Sequence, residues 1–384
     1  MLISSETSEV LEKSVAERRE TYCSGLFLSA RWFVISQICK SGLQVIVLPD
    51  KDSAEYCAAD LYNLVEGDNV FFLPDSGKNV ERSNYKSSLA VQRTAAVGSI
   101  IADKDNAELL YIVTYPEALE EMIPDKTRIS GALLTLKKDQ TISFDEIVNR
   151  LTSNNFCRVD FVSAPGQFAI RGSIIDIFSY SFNNPYRISF FGNEIEKINV
   201  FDCNTQLSKE EKDSADIFPD IIADDENGTS DIMVSDIFPS DAVVWLGSSD
   251  VYKERSFYEG LSRFRRVYID TPLSCTNVDP IKFNIAPQPV FNKNFELLTE
   301  DIRSRLERGY RVCIFAEKES QADRLKSVLY QNEGVMPEFI AGKNIHRGFI
   351  DNENKICCYT DHEIFDRFHR VTIRRSVEKS EQLI

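Results

Sequence analysis

Two arginines and a phenylalanine near the middle of the sequence are spaced so that they could form a binding surface. In the predicted strand Tyr186–Phe191, side chains alternate between two faces, which places Arg187 and Phe191 together and leaves an apolar set for the other face. Arg171, in a neighbouring predicted strand, can join the first face. Guanidinium groups beside an exposed aromatic ring are typical of protein–protein binding sites. The pattern equally allows solvated arginines and a Phe191 that packs on a neighbouring domain.

A phosphate-binding loop is the second chemistry that the sequence suggests, and its motif is incomplete. The motif Gly-x4-Gly-Lys-Ser/Thr uses backbone N–H groups, a lysine and a hydroxyl to hold a nucleotide and magnesium. The candidate Gly25–Arg31 offers Gly25, Ser29 and Arg31, but it has neither the second glycine nor the lysine, and it follows a weakly apolar segment. A second candidate, Ser76–Asn79, lacks the hydroxyl. We therefore expect no ATP binding, no bound cofactor and no catalytic residues in this chain.

The residues that commonly bind metals are also poorly grouped. The three histidines, His346, His362 and His369, lie near the C-terminal end, and the nine cysteines form no Cys-x-x-Cys pair. We expect no metal site, and reduced thiols that suit a cytoplasmic location. Asp361-His362-Glu363 follows an apolar run and could be a magnesium-binding pair at the end of a strand. Without a phosphate-binding lysine, the start of a helix is the favoured interpretation.

Composition limits the partners that the surface can bind. The 384 residues contain 44 Lys and Arg against 60 Asp and Glu, a net charge of −16, with 43% hydrophobic residues. This length predicts more than one domain, and the acidic balance argues against nucleic-acid binding by the whole surface. Weak DNA binding stays open because arginines cluster in the C-terminal part at Arg263, Arg265, Arg266, Arg374 and Arg375. No apolar run reaches the roughly 18 residues of a membrane-spanning helix.

The order of predicted elements indicates an α/β protein with an insertion. Helix and strand signals alternate over residues 25–120, with a strand predicted at Leu109–Thr114, and again beyond residue 242, with a helix predicted at Tyr252–Phe264. This alternation is typical of a parallel sheet flanked by helices. Between them, a helix that begins at Ser143 with a capping box to Glu146 precedes five short strands separated by turn residues. These strands are predicted at Cys157–Val162, Phe168–Arg171, Ser173–Phe178, Tyr186–Phe191 and Glu194–Phe201. This pattern predicts an α+β domain with an antiparallel sheet. The acidic block 211–250 favours a polar connection between domains.

The predicted domain organisation follows from these changes of pattern. Residues 1–120 and 210–350 are interpreted as two parts of one α/β scaffold, residues 121–209 as the inserted domain, and residues 351–384 as the end of the scaffold and the start of a linker.

A long run of residues resembles a module shared by two bacterial nucleotide-excision-repair families, UvrB and the transcription-repair coupling factors. The run begins at Pro165-Gly166-Gln167, continues through Ile175-Asp176-Ile177-Phe178 and Phe190-Phe191, and ends at Thr205-Gln206. The resemblance extends over roughly residues 20–375. The incomplete phosphate-binding loop resembles that of the coupling factors more than the intact loop of UvrB, and the stretch 346–365 also resembles the coupling factors. The resemblance implies a degenerate UvrB-like, helicase-like α/β scaffold that carries the inserted domain.

The resemblance also implies a function. The inserted domain of the family binds UvrA through residues that match Arg171, Arg187 and Phe191, and arginine–carboxylate pairs would fix the register. Ala169 and Ser189 stand where UvrB has charged residues. Proteins of the coupling family are longer, and their further domains bind RNA polymerase and drive an ATP- and magnesium-dependent motor along double-stranded DNA. The implied role is recruitment of UvrA to stalled RNA polymerase. The alternatives are a fragment of a UvrB-like ATPase or helicase, and a weak DNA-binding module.

Overall fold

The structure is a computed structural model. It describes residues 6–65, 69–77, 83–102, 108–180, 184–203, 205–219, 221, 231–247, 252, 254–269, 278–331 and 336–367, with the backbone alone at 83–88 and 102. The chain divides into two compact units, each assembled from separate segments. The first contains Met1–Val70, Asn106–Pro116 and Pro239–Arg374, and the second contains Phe71–Asp105, Glu117–Phe238 and Arg375–Ile384.

Helices and strands alternate along the described residues. The helices are α1 Glu6–Glu17, α2 Ala30–Ile38, α3 Lys51–Leu64, α4 Ser83–Ala102, α5 Pro116–Glu120, α6 Lys126–Ala132, α7 Phe144–Ser153, α8 Ser256–Gly260, α9 Phe295–Glu307, α10 Glu319–Gln331 and α11 Asp361–Ile364. The strands are β1 Glu20–Ser24, β2 Gly42–Val47, β3 Val70–Phe72, β4 Leu109–Thr114, β5 Met122–Pro124, β6 Leu134–Lys137, β7 Cys157–Arg158, β8 Gln167–Arg171, β9 Ile174–Phe178, β10 Tyr186–Phe191, β11 Glu194–Phe201, β12 Ser208–Lys212, β13 Ser214–Ile217, β14 Asp231–Met233, β15 Val243–Gly247, β16 Arg265–Ile269, β17 Ile281–Lys282, β18 Ile285–Pro287, β19 Arg311–Ala316, β20 Glu338–Ala341, β21 Phe349–Asp351 and β22 Ile356–Thr360.

The first unit is built on two sheets. Within the described residues, one sheet has the strand order β17-β1-β16-β15-β2-β4-β3, and its pairs from β17 to β4 are parallel. Its central strands β2, β4 and β15 are almost entirely buried, as expected of a parallel sheet covered on both faces. The other sheet has the order β18-β21-β22-β19-β20, with β19 parallel to both β20 and β22. The predicted α/β class is confirmed.

The second unit contains a six-stranded sheet in the order β12-β11-β10-β9-β8-β7, antiparallel except for β7 and β8. Helix α7 begins after Ser143, whose hydroxyl accepts a hydrogen bond from the Glu146 N–H at 3.1 Å, so the predicted start of this helix is confirmed. Tyr186, Ile188 and Phe190 are buried in the main core of this unit. The predicted apolar face of β10 is therefore confirmed as well.

Three predicted elements are wrong, for identifiable physical reasons. The helix predicted over Tyr252–Phe264 shortens to α8 and a 3-10 turn, Leu261–Arg263, because the sequence beyond Gly260 has already turned toward β16. The strand predicted over Cys157–Val162 ends at Arg158, since Val162 leaves the sheet to pack in a small cluster. The acidic block is no simple connection, because β13, β14 and β15 lie within it.

Candidate partner-binding surface

The three residues predicted to form a binding surface lie on one sheet of the second unit, on the face opposite the main core. A row of in-register neighbours crosses this face from Ala169 on β8 to Asp176 on β9, Arg187 on β10 and Asn199 on β11. Side chains directly opposite one another on adjacent strands lie within contact distance. The strand pairing therefore places the Asp176 carboxylate beside Arg187. Arg171 lies on β8, two residues beyond the Ala169 that pairs with Asp176.

Arg187 is held by that carboxylate through two parallel hydrogen bonds. Its Nε donates to Asp176 Oδ1 at 2.8 Å and its Nη2 donates to Asp176 Oδ2 at 3.0 Å. The Asp176 side chain is 1% exposed and that of Arg187 is 19% exposed. The guanidinium also lies 4.1 Å from the centroid of the Phe201 ring. A bidentate pair in this setting is strong and directional, so Arg187 has one fixed orientation.

Arg171 converges on the same carboxylate from the neighbouring strand. Its Nη2 forms an ion pair with Asp176 Oδ2, and its guanidinium lies 5.1 Å from the centroid of the Phe161 ring. The Arg171 side chain is 36% exposed, more than that of Arg187. One buried carboxylate thus serves two guanidinium groups, and the network of Arg171, Asp176 and Arg187 keeps a net charge of about +1, which favours an acidic partner.

Phe191 projects into solvent at the end of β10. Its side chain is 80% exposed, the largest value among the big apolar residues that the structure describes. The strand pairing shifts between Ser189 and Phe190, and Gly192 begins the turn to β11 with φ at +62°. Phe190 therefore enters the core while Phe191 faces outward on the arginine side. An exposed aromatic ring on the same sheet face as fixed guanidinium groups is typical of surfaces that bind another protein.

A turn between β11 and β12 holds the other side of Arg187. Arg187 Nη1 donates to the Gln206 carbonyl oxygen at 3.3 Å, and Nη2 donates to Gln206 Oε1 at 3.1 Å. Gln206 Nε2 in turn donates to the Cys203 carbonyl oxygen at 2.8 Å. Gln206 adopts a φ of +62°, which a non-glycine residue keeps only when its surroundings fix it. Arg187 thereby links the sheet to this turn.

Sequence reasoning missed Asp176 and Gln206 as functional partners of the arginines. Asp176 left a signal, because a carboxylate within a predicted buried strand must be paired to be tolerated. Gln206 left none, since its bond to Arg187 depends on the path of a turn. Ala169 is buried in a cluster with Phe201, and Ser189 is half-buried.

The incomplete phosphate-binding loop lies in the first unit, between β1 and α2. The sequence missed β1, so the strand–loop–helix order of a nucleotide site is present although its chemistry is not. Gly25 has a φ of +70°, and a Cβ there would lie 2.3 Å from the Phe283 carbonyl oxygen. The Phe283 N–H also donates to the Ser24 carbonyl oxygen at 2.8 Å. The start of the loop is therefore closed by the chain itself.

The serine of this loop is used for internal bonds. The Ser29 hydroxyl donates to Asp60 Oδ2 at 2.6 Å and accepts from the Arg347 N–H at 3.0 Å. The His346 N–H donates to Asp60 Oδ1 at 2.6 Å, and the His346 ring stacks on Tyr56 with centroids 3.5 Å apart. Backbone N–H groups of the segment 346–347 thus occupy the hydroxyl and the carboxylate.

Arg31 and the second loop candidate are also engaged. Arg31 Nε donates to the Leu28 carbonyl oxygen at 3.1 Å, and the guanidinium lies 4.6 Å from the centroid of the Trp32 ring. Ser76 donates through its N–H and its hydroxyl to the Glu121 carboxylate, both at 2.7 Å. The other half of that candidate, residues 78–79, lies outside the described residues. The hydroxyls of Ser29 and Ser76 are thus both hydrogen-bonded within the chain.

Asp60 carries a buried carboxylate between these segments. Burial raises the pKa of Asp60 to about 7, although hydrogen bonds from Ser29 and His346 and the charge of Arg31 oppose the shift. An unfolded aspartate has a pKa of about 4. The folded chain therefore binds a proton that the unfolded chain releases between about pH 4 and pH 7, and the stability of the first unit falls as the pH rises through this window.

Replacing Asp60 with asparagine is expected to remove this pH dependence. Between pH 5 and pH 7, the unfolding free energy of wild type should fall by about 2 kcal/mol relative to that of D60N. Trp32 and Trp245 both lie in the first unit, so denaturation followed by tryptophan fluorescence measures the effect. D52N, at an exposed position of the same helix, is the matched control. A constant difference between wild type and D60N at both pH values would contradict the prediction.

The acidic pair after β22 begins a helix, which confirms the favoured interpretation. The Thr360 hydroxyl caps α11 by accepting from the Glu363 N–H. Glu363 accepts from the Gly348 N–H at 2.6 Å and pairs with Arg347 Nε at 2.9 Å. Its carboxylate therefore holds the segment that covers the degenerate loop.

The arginine cluster considered for DNA binding is largely bound within the first unit. Arg266 pairs with Glu20, and Arg265 Nη2 donates to the Asp241 carbonyl oxygen at 2.6 Å. The guanidinium of Arg263 lies 4.9 Å from the centroid of the Phe264 ring. Arg374 and Arg375 lie outside the described residues, as does His369. The described part of this cluster therefore forms contacts within the first unit.

Metal-binding clusters and membrane-spanning helices are both absent from the described residues. Within them, no group of three or more His, Cys, Asp and Glu side chains is arranged to hold a metal ion. No helix in the described part of the chain has the length and apolar character needed to cross a membrane. The eight cysteines found there form no disulfide bond with one another.

Comparison with known proteins assigns the sheet that carries the arginine network. Residues 134–221 match the family model of the UvrB interaction domain. This range includes Arg171, Asp176, Arg187, Phe191 and Gln206.

Three curated relatives carry the same name, transcription-repair-coupling factor. The chain is 29% identical over 204 residues to the Bacillus subtilis protein, covering 52% of this chain and 17% of the relative. It is 30% identical over 191 residues to the Mycobacterium tuberculosis protein, covering 48% and 15%. It is 35% identical over 91 residues to the Escherichia coli protein, covering 24% and 8%. The matched region thus spans less than a fifth of each relative. Residues 134–221 therefore match the UvrB interaction domain, in a chain that is similar to transcription-repair-coupling factors over about half its length.

Proposed function

We propose that this chain recruits UvrA, the damage-recognition partner in nucleotide excision repair, through the surface formed by Arg171, Arg187 and Phe191. The observation that carries the proposal is Phe191, an 80% exposed aromatic ring on a sheet of the UvrB interaction domain. Aromatic residues of this kind dominate the energy of protein interfaces. The fixed guanidinium groups beside it favour a partner with a complementary acidic surface.

The order already present in this surface supports tight binding. Arg187 is fixed by Asp176 and Gln206 before any partner arrives, so little conformational entropy is lost when a partner binds. In the proposed complex, the Phe191 ring enters an apolar pocket of UvrA, and the outer edge of Arg171 meets a carboxylate at the rim. Charge then sets register and association rate, while the ring supplies most of the affinity.

In the whole protein, we propose, this chain is the N-terminal module of a transcription-repair-coupling factor. Regions beyond it bind RNA polymerase and double-stranded DNA and use ATP and magnesium for translocation. The chain itself performs no catalysis, since the segment 346–347 takes the hydroxyl and the carboxylate near the degenerate loop. We place the protein in the cytoplasm, where cysteines without disulfide bonds, as described in this chain, are usual.

Calorimetric titration of the chain with UvrA tests the proposal. We expect saturable binding with a stoichiometry set by the single interaction domain, weakened by salt because charged groups contribute. Titration of the chain alone with ATP and magnesium serves as the second arm and should give no binding heat. Failure to bind UvrA overturns the recruiting function, and saturable ATP binding would favour the UvrB-like ATPase instead.

A further inference from the structure

Exposed apolar side chains in the second unit are concentrated around the arginines. Among its described residues, four large apolar side chains are exposed, namely Met122, Phe161, Phe191 and Leu207. Phe161 lies against Arg171, Leu207 follows the Gln206 that Arg187 binds, and Phe191 is on the same strand as Arg187, whereas Met122 lies on another sheet. Scattered exposed apolar residues are normal, whereas a group around a charged network marks an interaction site.

Phe161 is exposed by an ordered segment. The neighbouring Val162 is buried in the cluster with Ala169 and Phe201. Directly after Val162, the N–H groups of Ser163 and Ala164 donate to Gln167 Oε1 at 2.9 and 3.0 Å. The Phe161 ring, 61% exposed, is thereby held beside the Arg171 guanidinium.

Leu207 is presented by the turn that Arg187 holds. The Asp202 N–H donates to the Leu207 carbonyl oxygen at 3.0 Å, and the Gln206 N–H donates to the Asp202 carbonyl oxygen at 2.7 Å. The Arg187 guanidinium binds this turn at both the carbonyl and the amide oxygen of Gln206. The Leu207 side chain is nevertheless 69% exposed. An exposed leucine on a turn held by hydrogen bonds can contact a partner with little loss of conformational entropy.

We propose that Phe161 and Leu207 are part of the same docking surface as Phe191, so that UvrA contacts three apolar side chains placed around the two arginines. This inference rests on the proposed function and deepens it. Arg187 and Phe191 are four residues apart on one strand, about 13 Å. A surface of that extent fits within the roughly 800 Å² that each partner contributes to a stable interface. In this arrangement Arg187 also acts as a positioning residue, because it holds the turn that presents Leu207.

Titration of UvrA with single-residue variants of the whole chain tests the inference. L207A and F161A should each raise the Kd at least fivefold and leave the thermal unfolding midpoint unchanged, since both side chains are exposed. M122A, an exposed apolar position on another sheet of the same unit, is the matched control and should bind like wild type. Variants L207A and F161A that both bind within twofold of wild type, while F191A does not, would overturn the extended surface and leave the recruiting function standing. Wild type that fails to bind UvrA would overturn both.

The positioning role of Arg187 has its own readout. Q206G removes the amide that Arg187 binds, and glycine tolerates the positive φ at this position. We expect Q206G to weaken UvrA binding about as much as L207A does. The double variant should lose less binding free energy than the sum of the two single losses, because both changes act through one turn. Q206G with unchanged affinity would contradict the link between Arg187 and Leu207.

Discussion

Replacing Phe191 with alanine should weaken UvrA binding by about 30-fold, which corresponds to about 2 kcal/mol. The expected size follows from the ring, which is 80% exposed in the free chain and would be buried in the complex. Full burial of a phenylalanine side chain contributes about 1.5–3 kcal/mol. The free chain should not be destabilised, because the ring makes no core contact. The measurement is a calorimetric titration with UvrA, accompanied by thermal unfolding of the free variant.

Two further variants sharpen this experiment. F191L keeps an apolar side chain of similar length and should lose less affinity than F191A, which separates apolar burial from a need for the aromatic ring. M122A tests whether any exposed apolar residue of this unit behaves in the same way. If F191A binds within twofold of wild type, Phe191 is not the anchor of the surface, whatever the other residues contribute.

Replacing Asp176 with alanine should destabilise the interaction domain by about 3 kcal/mol and weaken UvrA binding as well. The buried carboxylate pairs with both Arg171 and Arg187, so its removal leaves two cations without their shared acidic partner. Breaking a buried ion pair costs about 3–5 kcal/mol, and the partial exposure of both arginines places this case at the lower end.

The two units allow the loss to be located. Trp32 and Trp245 lie in the first unit, so the unfolding transition followed by tryptophan fluorescence should match that of wild type. Far-UV circular dichroism, which reports on both units, should show an additional transition at lower denaturant concentration. E196A, which removes an exposed carboxylate on β11, is the control and should change neither signal. The double variant D176A/R187A should be less destabilised than the sum of the single variants, because both single variants remove the same Arg187–Asp176 hydrogen bonds. Strict additivity would show that the pair contributes little.

Local patterns in the sequence predicted many of the helices and strands, and they predicted which side chains of β10 are buried. The alternation in Tyr186–Phe191 predicted which side chains are buried, because strand geometry has a period of two residues that depends on nothing distant. The strands Leu109–Thr114, Tyr186–Phe191 and Glu194–Phe201 have the predicted bounds. Elements with polar sequences, such as β1, could not be found in this way, since pairing with distant strands makes them strands.

For the proposed binding surface, some features follow from the sequence and others depend on the tertiary structure. The sequence by itself determined that Arg187 and Phe191 face the same way and that the degenerate loop lacks a lysine, since residue type and spacing carry that information. Only the tertiary structure decided that both arginines share Asp176, that Gln206 clamps Arg187, and that residues 346–347 bind Ser29 and Asp60. These contacts join residues that are distant in sequence or separated by a turn, and their existence depends on how the chain folds back, which no local pattern encodes.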